Sequence, residues 1–202
     1  MTERIRGISG NMFAGKTDEL LRRVTRAEIA GKDVLVFKPA IDDRWGRKDK
    51  IRSHAGAEHA AIPVATSEEI LNYLTKNTEI VAIDEIQFMD ENIVPVVDEI
   101  VERDIEVNFD GLPLDFRGEP FGQMPVLLAK SDDIERLTAI CTYHCEEDGK
   151  ICGKEATRTQ RFVNGMPANY NDEIILIGAQ ESYAPRCPTH HKVPGKPRKM
   201  LK

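Results

Sequence analysis

Gly10-Asn11-Met12-Phe13-Ala14-Gly15-Lys16-Thr17 follows the pattern G-x-x-x-x-G-K-[ST]. A loop of this pattern wraps the phosphates of a nucleoside triphosphate, and each residue type in it has a physical reason. The glycines let backbone N–H groups turn inward and approach phosphate oxygens closely. Lys16 brings a positive charge to the β- and γ-phosphates, and the Thr17 hydroxyl offers a ligand to Mg²⁺. Upstream, residues 4–8 form a short strand with Ile5 and Ile8 as its large apolar residues. Downstream, Leu20, Leu21, Val24 and Ala27 recur at helical spacing, leaving Arg22, Arg23 and Arg26 for the other face. Gly31 supplies a stop. The spacing predicts a helix that begins at Lys16 and aims its N-terminal dipole at the phosphates.

Strand, loop and helix then repeat along the chain. Residues 33–38 (DVLVFK) read as a buried strand closed by Pro39. Residues 66–77 read as a helix, with Thr66 and Glu69 at capping-box spacing and Ile70, Leu71 and Leu74 inward. Residues 79–83 (EIVAI) form another strand. Ile93, Val97, Ile100 and Val101 mark a helix that admits Pro95 in its first turn, and residues 105–109 a further strand. Strands separated by helices of this length predict an α/β fold of P-loop type, a parallel sheet covered on both faces. Near residue 138 the pattern changes to cysteines, glycine turns and short β-prone stretches such as residues 173–177. The expected organisation is therefore an α/β nucleotide-binding domain over residues 1–138, a smaller β and loop unit over 139–193, and a basic flexible tail over 194–202.

Composition narrows the function. The 202 residues carry a net charge of −6, which argues against a broad electrostatic grip on nucleic acid. Basic residues in the second unit, such as Lys150, Lys154, Arg158 and Arg161, are interspersed with acids. Residues 1–7 lack the apolar core of a signal peptide, and no stretch has the length and hydropathy of a membrane span, so a cytoplasmic protein is expected. All four cysteines lie between positions 141 and 187, a crowding that reads as metal ligation rather than disulfides.

Val81-Ala82-Ile83-Asp84-Glu85 is an apolar strand ending in two carboxylates. Ligands of α/β sheets lie beyond the carboxyl ends of strands. There one acid can hold Mg²⁺ and a second can take a proton from the nucleophile.

With these residues in view, the chain resembles the type II thymidine kinases. GNMFAGKTDEL from Gly10 is close to their G-P-M-F-S-G-K-T/S-x-E-L, and IDEIQF from Ile83 fits I-D-E-x-Q-F. DFRGEPFG from Asp115, EATRTQR from Glu155 and IGAQESY from Ile177 match further family blocks in the same order. The resemblance implies transfer of the γ-phosphate of ATP to the 5′-hydroxyl of thymidine, with Glu85 as general base. It implies that Gly10, Asn11, Met12, Phe13, Ala14, Gly15, Lys16 and Thr17 hold the triphosphate, with Asp84 serving Mg²⁺ and Asp42, Arg44 and Gln87 completing the nucleotide site. Met12, Leu112, Phe116, Thr159 and Tyr183 would line the thymine pocket, although as residue types Phe116 and Tyr183 are equally plausible core aromatics. Ile174, Ile175, Leu176, Ile177 and Gly178 would cover the base as a loop. A homotetramer and feedback inhibition by dTTP are also implied.

Against the family's C-x-x-C-G and later C-x-x-[CH], this chain has Cys141 and Cys152 bracketing an expanded segment, then Cys187 and His190. These four are the expected ligands of a structural zinc. Spacing leaves open whether Cys145 replaces Cys141 and whether His191 replaces His190. Pro113 stands where relatives often carry an acid, and Asn108-Phe109-Asp110 is more polar than usual. The rival reading is a P-loop ATPase switch with a zinc interaction module.

Overall fold

The computed structural model describes residues 4–41, 49–53, 55–146, 149–175 and 181–197. Asp42, Arg44, Leu176, Ile177 and Gly178 lie outside the described residues. The chain divides into two units. The first holds Met1–Gly10, Gly15–Pro113 and Phe121–Leu137, and the second Asn11–Ala14, Leu114–Pro120 and Thr138–Lys202.

Among the described residues the first unit is built on a six-stranded sheet. In chain order its parts are β1 (Ile5–Gly10), α1 (Lys16–Ile29), β2 (Val34–Pro39), a hairpin of β3 (Lys50–Arg52) and β4 (Glu58–Ala60), β5 (Ile62–Val64), β6 (Ile80–Ile83), α2 (Ile93–Glu102), β7 (Glu106–Gly111), α3 (Met124–Lys130) and β8 (Asp133–Leu137). The spatial order is β5-β2-β6-β7-β1-β8, and every neighbouring pair is parallel, as the alternation of strands and helices predicts. Side chains alternate across the pleat. Phe37, Val81, Ile83, Val107 and Phe109 pack with Ile93, Val97 and Ile100 of α2 and Leu127 of α3. Ile8, Val36 and Ala82 pack with Leu20, Leu21 and Val24 of α1. Each of those large side chains removed from water contributes about 1.5–3 kcal/mol.

The expected helix over residues 66–77 is instead a 3₁₀ segment, Ser67–Asn72. The Thr66 side chain makes no capping bond, and the Glu69 carboxylate accepts the Ala65 N–H at 3.0 Å. Beyond it the Thr78 hydroxyl takes the Thr75 N–H at 3.0 Å and the Thr75 hydroxyl takes the Asn77 N–H at 3.1 Å. These side-chain bonds close a turn where the helix would have continued.

The second unit pairs β9 (Ala139–Ile140) with β10 (Glu155–Ala156), and sets β11 (Arg158–Val163) between β12 (Met166–Pro167) and β13 (Glu181–Arg186), all antiparallel. Residues 173–175, read as β-prone, form no strand among the described residues.

Candidate active site and metal centre

Three neighbouring strands, β6, β7 and β1, end side by side, where parallel sheets place their ligands. Gly15 follows β1 at φ 83° and ψ 21°, a left-handed conformation that favours glycine, and the helix starts at the next residue. No side chain caps the start of α1, and the N-terminus of a helix attracts anions such as phosphate. Lys16 is buried at this start. The Thr17 hydroxyl lies 3.2 Å from Asp84 Oδ1 and 3.4 Å from Asp110 Oδ2, and its single proton serves one of them at a time.

Asp84 keeps the strand's ladder, donating its N–H to the Phe37 carbonyl at 3.0 Å. Glu85 leaves it, at φ 50° and ψ 45°. Its N–H donates to Asp110 Oδ1 at 2.8 Å, and its carboxylate accepts the Gln87 side-chain amide. Gln87 in turn accepts the Leu112 N–H at 2.9 Å. Glu85 is thus held at both its backbone and its carboxylate. Asp84, Glu85, Gln87 and Asp110 are all buried. Burial, and then repulsion from Glu85, push the Asp110 carboxyl up to about 6, against the pull of Lys16 and the Glu85 N–H. Three buried carboxylates on neighbouring strand ends, with Lys16 acting on Asp110, cost several kcal/mol per ion in desolvation, a pattern that suits chemistry better than stability.

In the second unit, Met12 donates its N–H to the Thr159 hydroxyl at 3.1 Å. Asn11 bonds Arg158 O and the Ala139 N–H, each at 3.3 Å. Phe13 stands exposed at φ 68°. Phe116 is buried with the Arg161 guanidinium 5.0 Å from its ring centroid. Arg161 is itself fully buried, donates to Glu173 O at 2.5 Å, and faces Tyr183 across the β11–β13 ladder. Ile174 and Ile175 are exposed, and Leu112 is buried in the first unit.

The Cys141, Cys152, Cys187 and His190 ligand atoms all lie within 4.8 Å of one another. His190 Nδ1 is 3.7 Å from Cys141 Sγ and 3.4 Å from Cys187 Sγ. A tetrahedral zinc with Zn–S bonds of about 2.3 Å separates its sulfurs by roughly 3.8 Å, so this set of three sulfurs and one nitrogen fits zinc. Burial raises the Cys187 thiol, but the His190 and Thr189 N–H groups, with Cys141 and Cys152 beside it, hold it below its ordinary value. The hairpin sets apart the cysteines that spacing left open. Cys152 N–H bonds Tyr143 O at 2.8 Å, and Cys145 N–H bonds Lys150 O farther out, so Cys141 and Cys152 share the base while Cys145 sits toward the tip. His191 is engaged elsewhere, donating from Nε2 to Phe116 O at 2.8 Å.

The thymidine kinase family model matches residues 3–191. The chain belongs to the thymidine kinase family. It is accordingly a nucleoside kinase, a transferase for which ATP use is implied. No described helix is long and apolar enough to cross a membrane.

The oxygens of Thr17 and Asp84, 3.2 Å apart, are hard donors of the kind that could hold Mg²⁺. Asp110 escaped the sequence reading. Its signal was present as the unusual polarity of Asn108-Phe109-Asp110, but its meaning depends on β7 lying beside β6.

Proposed function

We propose that this chain transfers the γ-phosphate of ATP to the 5′-hydroxyl of thymidine, giving dTMP and ADP for DNA synthesis. The observation that carries the proposal is Glu85, held at its carboxylate by Gln87 and at its N–H by Asp110, whose other oxygen reaches the Thr17 hydroxyl, in a chain of the thymidine kinase family. Glu85 takes the proton of the 5′-hydroxyl as its oxygen bonds the γ-phosphorus and the bond to the ADP oxygen breaks. Lys16 and the donors at the start of α1 neutralise charge on the phosphates. When bound, Mg²⁺ on Thr17 and Asp84 supplies further neutralisation of the triphosphate. Asn11 to Gly15 wrap the phosphates, joined by Gly10, Asp42, Arg44 and Gln87 in the nucleotide site. Met12, Leu112, Phe116, Thr159 and Tyr183 line the thymine site, covered by Ile174 to Gly178. Deoxyuridine is a second acceptor, dTTP the feedback inhibitor, and the working form a cytoplasmic homotetramer.

The test is ADP release by the purified protein with Mg·ATP, with and without thymidine, alongside mass spectrometry for dTMP. Thymidine-dependent ADP matched by dTMP is expected. ADP release indifferent to thymidine would point instead to an ATPase switch.

A further inference from the structure

We infer that Asp110 is a positioning residue for phosphoryl transfer, the side chain that fixes Glu85 in its left-handed turn and ties that turn to the phosphate-loop helix. The inference rests on the proposed role of Glu85 as the base.

The parallel register sets Ile83 opposite Phe109, so Asp110 stands one residue further, where β6 ends and the chain turns away. An N–H leaving a ladder at that point needs a new acceptor, because burying it unpaired is unfavourable. Glu85 finds it in Asp110 Oδ1 at 2.8 Å, with both residues buried. Left-handed backbone at φ 50° is strained for a glutamate and persists only where its surroundings hold it. Asp110 is one such hold, and its other oxygen reaches the Thr17 hydroxyl at 3.4 Å, one residue beyond Lys16. A single carboxylate therefore bridges the residue that takes the proton and the helix that carries the phosphates. The bridge governs orientation, where a misplacement of about 1 Å costs on the order of 100-fold in rate.

The test compares Asp110→Ala and Asp110→Asn with the wild type in the thymidine-dependent assay. The alanine removes the acceptor, whereas the asparagine keeps an oxygen for the Glu85 N–H. Asp110→Ala is expected to lower kcat by about 100-fold while KM for ATP and thymidine stays within about threefold. Asp110→Asn should remain within about tenfold of wild type in kcat, the rescue that identifies the acceptor rather than the charge. In a Glu85→Gln background Asp110→Ala should lower the residual rate by less than about threefold, since a group acting through Glu85 has little left to act on. If the alanine chain does not fold, Asp110→Val makes the same deletion with a residue suited to a buried strand. A folded deletion variant with wild-type kcat, losses that multiply in the Glu85→Gln background, or an asparagine variant as impaired as the alanine would each overturn the inference. A wild-type protein that makes no dTMP would overturn the reading beneath it, and that outcome is seen separately in the same assay.

Discussion

Glu85 occupies a conformation that a free chain avoids. A residue other than glycine in the left-handed region costs roughly 1–2 kcal/mol, and this one also buries a carboxylate next to that of Asp110. Its grips are local: the Asp110 carboxylate on its N–H, the Gln87 amide on its side chain, and the Phe88 N–H on its carbonyl at 3.1 Å. Strain maintained this way at the end of a parallel strand is explained by a need to place the carboxylate, and that need gives a prediction. Glu85→Gln keeps the shape of the side chain and an oxygen for Gln87, but removes the carboxylate proposed as the base. A carboxylate base contributes about 10²–10⁴-fold, so kcat should fall by that order while ATP affinity stays within about threefold. Steady-state kinetics paired with equilibrium ATP binding decide it. Unchanged turnover would take the proton-accepting role away from Glu85.

At the scale of elements, the end of β7 is tightly packed. A methyl group at Gly111 would meet Gln87 Oε1 at 2.6 Å, Met124 Sδ at 2.7 Å and Ile86 Cγ2 at 3.2 Å. Gly111→Ala should therefore destabilise the chain by about 1–3 kcal/mol through overpacking. It should also lower kcat, because the displaced Gln87 is the partner of Glu85. Denaturant unfolding with the kinetic assay checks both, and a variant of wild-type stability would show that β7 and the turn yield easily. The same elements show what a sequence discloses. α1 was legible from Lys16 onward because Leu20, Leu21 and Val24 bury one periodic face. β8 was not, because an edge strand reading Asp133-Ile134-Glu135-Arg136-Leu137 carries no apolar run, and Glu135 is spent on Arg23 at 2.7 Å. The 3₁₀ segment Ser67–Asn72 escaped because threonine side chains beyond it compete for backbone N–H groups, a contest that apolar spacing does not record. The choice between Cys141 and Cys145 was hidden for a related reason, since spacing leaves open which cysteine ends up at the base of the hairpin.

Across the whole molecule the two units are stabilised by different means. The first has large apolar clusters on both faces of its sheet. Among the described residues the apolar cluster of the second is small, made of Ala139, Cys141, Ala156 and Cys187 with Ala14, Tyr143 and Cys152 packed against it, and three of those residues are the cysteines of the Cys/His cluster that could hold a metal. A core of that size supplies little stability by burial, so a metal held by the Cys/His cluster would carry much of its folding free energy. The stacking of Tyr143 on His190, with ring centroids 4.1 Å apart, shields that link on one side. Removing zinc with a chelator should then act unevenly. Amides of Cys141, Cys152 and His190, bonded to Lys154 O, Tyr143 O and Cys187 O, should exchange quickly with solvent deuterium. Those of β6 and β7, within the sheet, should keep their slow exchange. Cys152→Ser should reproduce the chelated pattern and lose the metal, whereas Cys145→Ser should keep one zinc per chain, because its thiol is outside the ligand set. Hydrogen exchange with metal analysis of the two variants tests the division of labour. Uniform loosening of both units, or zinc lost from the Cys145 variant, would mean that the metal does something other than stand in for a core.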